Sequence, residues 1–359
     1  MIEGHGDDAY KYDGIESDFS SNICYPKDES QRAILEHLSH LPNLLSHYPE
    51  PEAWTLERMI AERHGIDPRC VIVTSGATDA IYLVAQALHY TSVIPAPTFR
   101  EYEDACRMVE SRESRVERRA RLGGRDEGGE SRGGRGSEAA MRGGESLLWL
   151  CNPNNPTGEV LRASEIEELL RDYDIVVIDQ SYERYTSLPV MTHKSAVRHR
   201  RVVQLHSMTK DYAVPGLRLG YIVAAPRLAN SLRRHLRPWA VSALAVEAGK
   251  YLLQHDELLV QPDLQEAQRL YRELCKIEGI DVMPSHTNFF LCRLHSGTAA
   301  QLKDYLAHKH KILIRDASNF RGLTAQHFRI AAQTPSENEA LVAALRHFLS
   351  RVESQESRV

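Results

Sequence analysis

The stretch Ser207-Met-Thr-Lys210-Asp-Tyr-Ala-Val-Pro-Gly216-Leu-Arg218 follows directly on the apolar run Val202-Val-Gln-Leu-His206. The run reads as a buried strand, and the change to polar, Pro- and Gly-bearing sequence marks its exit into a loop. That exit sets an amine, a hydroxyl and a guanidinium together at the mouth of a sheet. A lysine amine can condense with a carbonyl group, while Ser207 and Arg218 offer a hydroxyl and a two-pronged fork for a phosphate. Most lysines at such an exit are merely solvated. Three further segments decide against that reading here.

Leu147-Leu-Trp-Leu-Cys-Asn-Pro-Asn-Asn155-Pro-Thr-Gly158 is an apolar strand running into a Pro/Asn/Gly turn, which alone is ordinary loop chemistry. Ile175-Val-Val-Ile-Asp179-Gln-Ser-Tyr182 ends a buried strand on a carboxylate, with a tyrosine three residues on. Taken singly, Asp179 is as good a turn residue or helix cap. A carboxylate so placed can also hold a protonated pyridine nitrogen and make the ring an electron sink. Val71-Ile-Val-Thr-Ser-Gly76-Ala77-Thr78 is a strand and small residues before the helical pattern Asp79–Leu88. A helix start of this kind presents backbone N–H groups to a phosphate. In open α/β sheets, ligands bind outside the carboxyl ends of the strands, so four exits far apart in sequence can converge.

The ordered set of four resembles the fold-type-I pyridoxal-phosphate (PLP) enzymes of the aspartate aminotransferase superfamily, over nearly the whole chain. The resemblance implies an α/β fold: a large domain with a mostly parallel sheet and helices on both faces, plus a smaller α+β domain. It implies PLP as cofactor, with Lys210 as the lysine that bonds it and Asp179 as partner of the pyridine nitrogen. Tyr182 and Asn155 would contact the ring oxygen, and Gly76, Ala77, Thr78, Ser207 and Arg218 the cofactor phosphate. Phe99 or Tyr102, in Pro97-Thr-Phe99-Arg-Glu-Tyr102, would supply an aromatic face to the ring. Tyr48 would reach the cofactor phosphate of a partner subunit in a homodimer, and Arg329 would grip the substrate carboxylate.

A chain of 359 residues exceeds one ordinary core. Its apolar fraction of 42% and charged fraction of 26% are those of a globular protein. A net charge of −5 argues against a general nucleic-acid binder. The six cysteines show no Cys-x-x-Cys or zinc spacing, so they read as reduced thiols in a cytoplasmic protein with no metal. Met1-Ile-Glu-Gly-His5-Gly-Asp-Asp8 has neither a basic start nor an apolar core, so no secretory signal is expected. No apolar run is long enough to span a bilayer.

Strands at 71–74, 92–95, 147–151, 175–179, 202–206 and 219–224 alternate with helical patterns, which predicts a mostly parallel sheet. Residues 227–277 read as long amphipathic helices. The expected organisation is an N-terminal segment over 1–40, a large PLP-binding domain over 41–255 and a small C-terminal domain over 256–359. Residues 111–145 hold nine arginines and nine glycines with hardly any apolar side chains. Such a segment cannot bury enough surface to offset its ordering entropy, so a disordered surface insertion is expected. Its interleaved acids and lack of aromatics weaken a nucleic-acid-binding reading.

Finer wording narrows the resemblance to the threonine-phosphate decarboxylases and their relatives, the histidinol-phosphate aminotransferases. It lies in His5-Gly6, Asp18-Phe-Ser-Ser-Asn22, Tyr212–Tyr221, Arg237-Pro-Trp239-Ala-Val-Ser242, Ile312-Leu-Ile-Arg315-Asp-Ala-Ser-Asn319 and Glu337-Asn338. The wording around Lys210 and the Pro238-Trp239 pair lean to the decarboxylase, which serves cobalamin biosynthesis. A small phosphorylated amino acid is the implied substrate, its phosphate held by Arg315 with His5 and Asn22. The Arg/Gly segment and Asp7-Asp8 depart from the pattern. Decarboxylation and transamination draw on the same residues, so both reactions remain open at this stage.

Overall fold

The computed structural model describes residues 8–24, 28–109, 113–117 and 146–356. In chain order its elements are β1 (Ser17–Asp18), α1 (Asp28–Ser39), α2 (Trp54–His64), β2 (Val71–Thr74), α3 (Gly76–Ala87), β3 (Thr91–Ala96), α4 (Glu101–Met108), β4 (Glu113–Glu117) and β5 (Ser146–Cys151). There follow α5 (Ala163–Leu169), β6 (Ile175–Asp179), α6 (His193–Arg198), β7 (Val202–His206), α7 (Met208–Asp211), β8 (Gly220–Ala224), α8 (Pro226–Arg233) and α9 (Ala243–Leu253). The last elements are α10 (Leu264–Leu274), β9 (Ile280–Val282), β10 (Phe289–Leu294), α11 (Ala299–His310), β11 (Ile312–Leu313), β12 (Arg315–Asp316), β13 (His327–Ala331) and α12 (Pro335–Glu356).

Seven strands form one sheet in the order β2-β8-β7-β6-β5-β3-β4. β8 runs antiparallel to β2 and β7, and the other pairings are parallel. β2, β3 and β5 to β8 are apolar on both faces because both of their faces are covered. Trp149, Val177, Val203, Leu205 and Ile222 pack beneath α3, α4 and α8. The alternate residues Leu148, Leu150, Val176, Ile178 and Val202 pack against α5 and α6, and Val71, Val73 and Val223 against α2 and α9. Each such side chain contributes about 1.5–3 kcal/mol by burial.

β12, β13, β10 and β9 form a second, antiparallel sheet, covered by α10, α11 and α12. β1 pairs in parallel with β11, Ser17 opposite Ile312 and Asp18 opposite Leu313, and Phe19 is buried in the core of this second sheet. The N-terminal segment is thus built into the C-terminal part of the chain.

One expectation is corrected. Glu113–Glu117 was expected within a disordered stretch, yet it is an edge strand paired residue by residue with Ser92–Ala96 of β3. A strand edge is joined by backbone hydrogen bonds, which any non-proline residue supplies, so the lack of apolar side chains did not forbid it. Residues 111–112 and 118–145, the rest of the Arg/Gly segment, lie outside the described residues.

β2, β3, β5, β6 and β7 run in one direction, so their carboxyl ends open along a single edge of the large sheet. Gly220 permits the tight convergence there. A Cβ on it would lie 2.7 Å from the His206 carbonyl oxygen and 2.8 Å from the Ala77 nitrogen.

Candidate cofactor and substrate site

A cavity of about 310 Å3 lies at that edge. Lys210, Asp179, Tyr182 and Asn155 line it, as do Ala77, Thr78, Ser207 and Arg218. Phe99, Tyr102, Asn22, Arg315 and Arg329 complete the wall. The structure therefore brings together all but three of the residues singled out in the sequence. Gly76 stands one position before the lining residues at the head of α3. Tyr48 is on the surface, 85% exposed, with its ring 5.2 Å from that of Trp239. His5 lies outside the described residues.

Asp179 ends β6 and is buried. Its Oδ2 accepts a hydrogen bond from the Tyr102 hydroxyl at 2.8 Å, and its Oδ1 accepts one from the Ser181 N–H at 2.9 Å. Tyr102 is fully buried and stacks on Trp149 with ring centroids 5.4 Å apart. Phe99, half-buried, meets the Tyr102 ring edge-on at 5.8 Å. The two aromatic candidates are thereby divided: one is committed to Asp179, and the other keeps a ring at the cavity.

Tyr182 lies between Tyr185 and Phe289, both edge-to-face, with the Lys210 ammonium 5.6 Å from its ring centre. Burial pushes its hydroxyl up to about 12, so it is a neutral donor at physiological pH. Asn155 spends its side-chain oxygen on the Arg329 guanidinium. Its amide N–H2 is the part left to donate elsewhere.

Arg329 and Arg315 are both buried. Arg329 donates to Asn155 and to the Ser20 carbonyl, while its Nε has no partner among the described residues. Arg315 donates to Asn319 Oδ1 at 2.7 Å and to the Asp316 carbonyl. Burial, and for Arg315 also the charge of Arg329, lowers both guanidiniums to about 10. Each still carries its charge at neutral pH. Two mutually repelling cations in one wall make a site for anions.

Three features were missed in the sequence. The Tyr185 hydroxyl accepts from the Cys24 N–H at 3.3 Å and donates to the Lys210 carbonyl at 2.9 Å. Thr209 and Ser20 also line the cavity. Both stand in stretches already quoted, next to residues that were chosen; Tyr185 carried no sequence signal.

The residues present fit pyridoxal phosphate. Gly76 has φ +86°, and a Cβ there would lie 2.9 Å from the Arg218 guanidinium, so glycine keeps the space between helix start and arginine open. Ala77 and Thr78 follow in the first turn of α3, whose N–H groups suit a phosphate. At the cavity wall the buried amide of Asn22 has no hydrogen-bond partner among the described residues for either polar atom, an unmet demand that a polar ligand answers.

A family model described as aminotransferase class I and II matches residues 17–345. The threonine-phosphate decarboxylase of Salmonella typhimurium is 29% identical over 93% of this chain and 92% of its own. A histidinol-phosphate aminotransferase of Caldanaerobacter subterraneus subsp. tengcongensis is 28% identical, with 84% of each chain covered. The crystal structure of L-threonine-O-3-phosphate decarboxylase from Porphyromonas gingivalis aligns with TM-score 0.84 and 38% identity, covering 93% of this chain and 99% of that one. The family match runs through both sheets and all four strand exits: the chain belongs to the aminotransferase class I and II family, and its cofactor is pyridoxal 5′-phosphate.

Proposed function

We propose that the protein decarboxylates L-threonine O-3-phosphate to (R)-1-aminopropan-2-yl phosphate, for cobalamin biosynthesis. The observation that carries this is the pair of buried guanidiniums, Arg315 and Arg329, in the wall of the cavity that Lys210 and Asp179 also line. A substrate with both a phosphate and a carboxylate matches that pair, since the arginine fork suits planar and tetrahedral oxyanions alike. The similarity to threonine-phosphate decarboxylases supports the same substrate.

In this reading Lys210 bonds the cofactor and Asp179 holds the pyridine nitrogen. Tyr182 and Asn155 donate to the ring oxygen, and Phe99 lies on the ring face. Gly76, Ala77, Thr78, Ser207 and Arg218 hold the cofactor phosphate. When bound, the cofactor supplies an electron sink for a bond broken at the substrate's α-carbon. Arg329 fixes the carboxylate so that the bond to it, rather than the α-C–H bond, is the one set to break. Arg315 and Asn22 hold the substrate phosphate, and the Lys210 amine returns a proton to the α-carbon.

The proposed functional unit is a homodimer in which the exposed Tyr48 reaches the cofactor phosphate of the other subunit. A cytoplasmic location is part of the same reading. Among the described residues no helix is long and apolar enough to cross a membrane, and no group of His, Cys, Asp or Glu is set to hold a metal.

A second reading rests on the similarity to histidinol-phosphate aminotransferase. Histidinol phosphate has no carboxylate to lose, so it can only be transaminated, and 2-oxoglutarate is then required. Incubation with threonine phosphate alone, and separately with histidinol phosphate plus 2-oxoglutarate, separates the two. Turnover of the first without a keto acid supports the decarboxylase; turnover of the second only supports the aminotransferase.

A further inference from the structure

Asp8 and Lys303 form a buried ion pair between the N-terminal segment and α11. The Lys303 ammonium donates to both Asp8 oxygens, at 2.8 and 2.6 Å, and each side chain is only 10% exposed. Burying two charges stabilises a fold little, because desolvation offsets their attraction; what such a pair can supply is registration. Here the register it sets is that of the whole N-terminal segment. The Tyr12 hydroxyl donates to Asp304 at 2.7 Å, and the Lys311 ammonium donates to the Asp13 carbonyl at 3.0 Å. β1 then pairs with β11, and the Phe19 carbonyl accepts from the Ala331 N–H at 3.0 Å.

The segment so fixed leads straight into the cavity. Ser20 accepts a hydrogen bond from Arg329 through its carbonyl, and Ser20 to Ile23 line the wall, including the unsatisfied amide of Asn22. β11, the strand that β1 pairs with, runs on through Ile314 into β12, which begins at Arg315, so the same pairing carries that guanidinium to the cavity. One strap therefore bears on Arg329 through the Ser20 carbonyl and, through its pairing with β11, on the strand that leads to Arg315.

We propose that the Asp8–Lys303 pair is a positioning device, touching no substrate itself, that sets Asn22 and Arg315 at the spacing needed to hold the substrate's oxyanion. The inference rests on the reading that the arginine-bearing end of the cavity takes a phosphate. It also gives a role to Asp8, one of the two acidic residues that depart from the decarboxylase wording.

The test uses the PLP-loaded enzyme, whose cofactor phosphate site is filled, and inorganic phosphate as the probe, followed by the change in cofactor absorbance. Lys303→Met is expected to weaken phosphate binding about tenfold, the scale of coupling between residues of one network. The spectrum and retention of the cofactor stay as in the parent. The conservative Lys303→Arg, which keeps a cation on Asp8, is expected to bind phosphate within about threefold of the parent. Unchanged phosphate affinity in a folded Lys303→Met protein overturns the proposal, as does a Lys303→Arg protein with the parental melting temperature that binds phosphate no better than Lys303→Met. A parent that binds phosphate yet does not turn over threonine phosphate sinks the decarboxylase reading and leaves the positioning role intact. A parent that binds no phosphate overturns the positioning role, and the decarboxylase reading is then decided by turnover of threonine phosphate alone.

Discussion

The Tyr102 hydroxyl donates to the Asp179 carboxylate across 2.8 Å, so the residue read as a second candidate for the ring face is instead the carboxylate's own partner. Asp179→Ala is expected to leave the fold and the bound cofactor in place while lowering kcat about a hundredfold or more, since the ring nitrogen loses its anionic partner. Tyr102→Phe should lose about threefold to tenfold, with the absorbance of the bound cofactor shifted in its pH dependence. It removes only a donor to the carboxylate, a change on the order of 1 kcal/mol. Steady-state kinetics with absorbance titration check the ranking. A larger loss in Tyr102→Phe than in Asp179→Ala would overturn the assignment of Asp179.

Gly76→Ala should loosen the cofactor. The substitution adds a methyl 2.9 Å from the Arg218 guanidinium at a φ of +86°. The strain is on the order of 1–2 kcal/mol, and part of it is relieved by moving Arg218 away from the phosphate. Cofactor dissociation measured by dilution and absorbance should be about tenfold faster than in the parent. Unaltered retention would place the phosphate elsewhere.

Acid should destabilise the fold through the stacked histidines behind the lysine segment. The rings of His64, His193 and His206 stack at 3.7 and 4.3 Å, and the His193 ring nitrogen lies 3.2 Å from the Tyr221 hydroxyl. Burial lowers His64 to about 4 from the usual 6.5 and lowers His193 further. Below 6.5 the unfolded chain therefore binds more protons than the folded one, and stability falls with falling pH down through the folded values. The melting temperature should drop between pH 7 and pH 5, and His193→Phe should flatten that slope. A parental slope retained in His193→Phe would assign the acid lability to other groups.

Shared sites can be tested by mixing. Tyr48→Phe and Lys210→Ala subunits are each expected to be poorly active. A mixed dimer has one site with both lesions and one with neither. Recovery of activity after subunit exchange is the expected outcome. Exchange shown by mass with no recovery would count against Tyr48 acting across subunits.

The inner strands of the large sheet were legible because each is apolar on both faces, as the packing of Leu147 to Cys151 and Ile175 to Ile178 shows. The four strand exits were legible because each joins an apolar run to chemically distinct polar groups. What escaped depends on partners distant in sequence. Phe99 and Tyr102 stand three apart and look equivalent until Trp149 and Asp179 claim one of them. Tyr185 reaches Lys210 and Cys24, and Asp8 reaches Lys303, across separations that no local pattern relates. β4 was missed because its pairing is written in the β3 backbone rather than in its own side chains.

The central claim is most directly tested with threonine phosphate labelled at the carboxyl carbon and no keto acid present. A decarboxylase releases labelled carbon dioxide and aminopropanol phosphate in equal amounts, and borohydride reduction fixes the cofactor on Lys210. A strict need for 2-oxoglutarate, with glutamate formed and the label retained in the organic product, would contradict that claim.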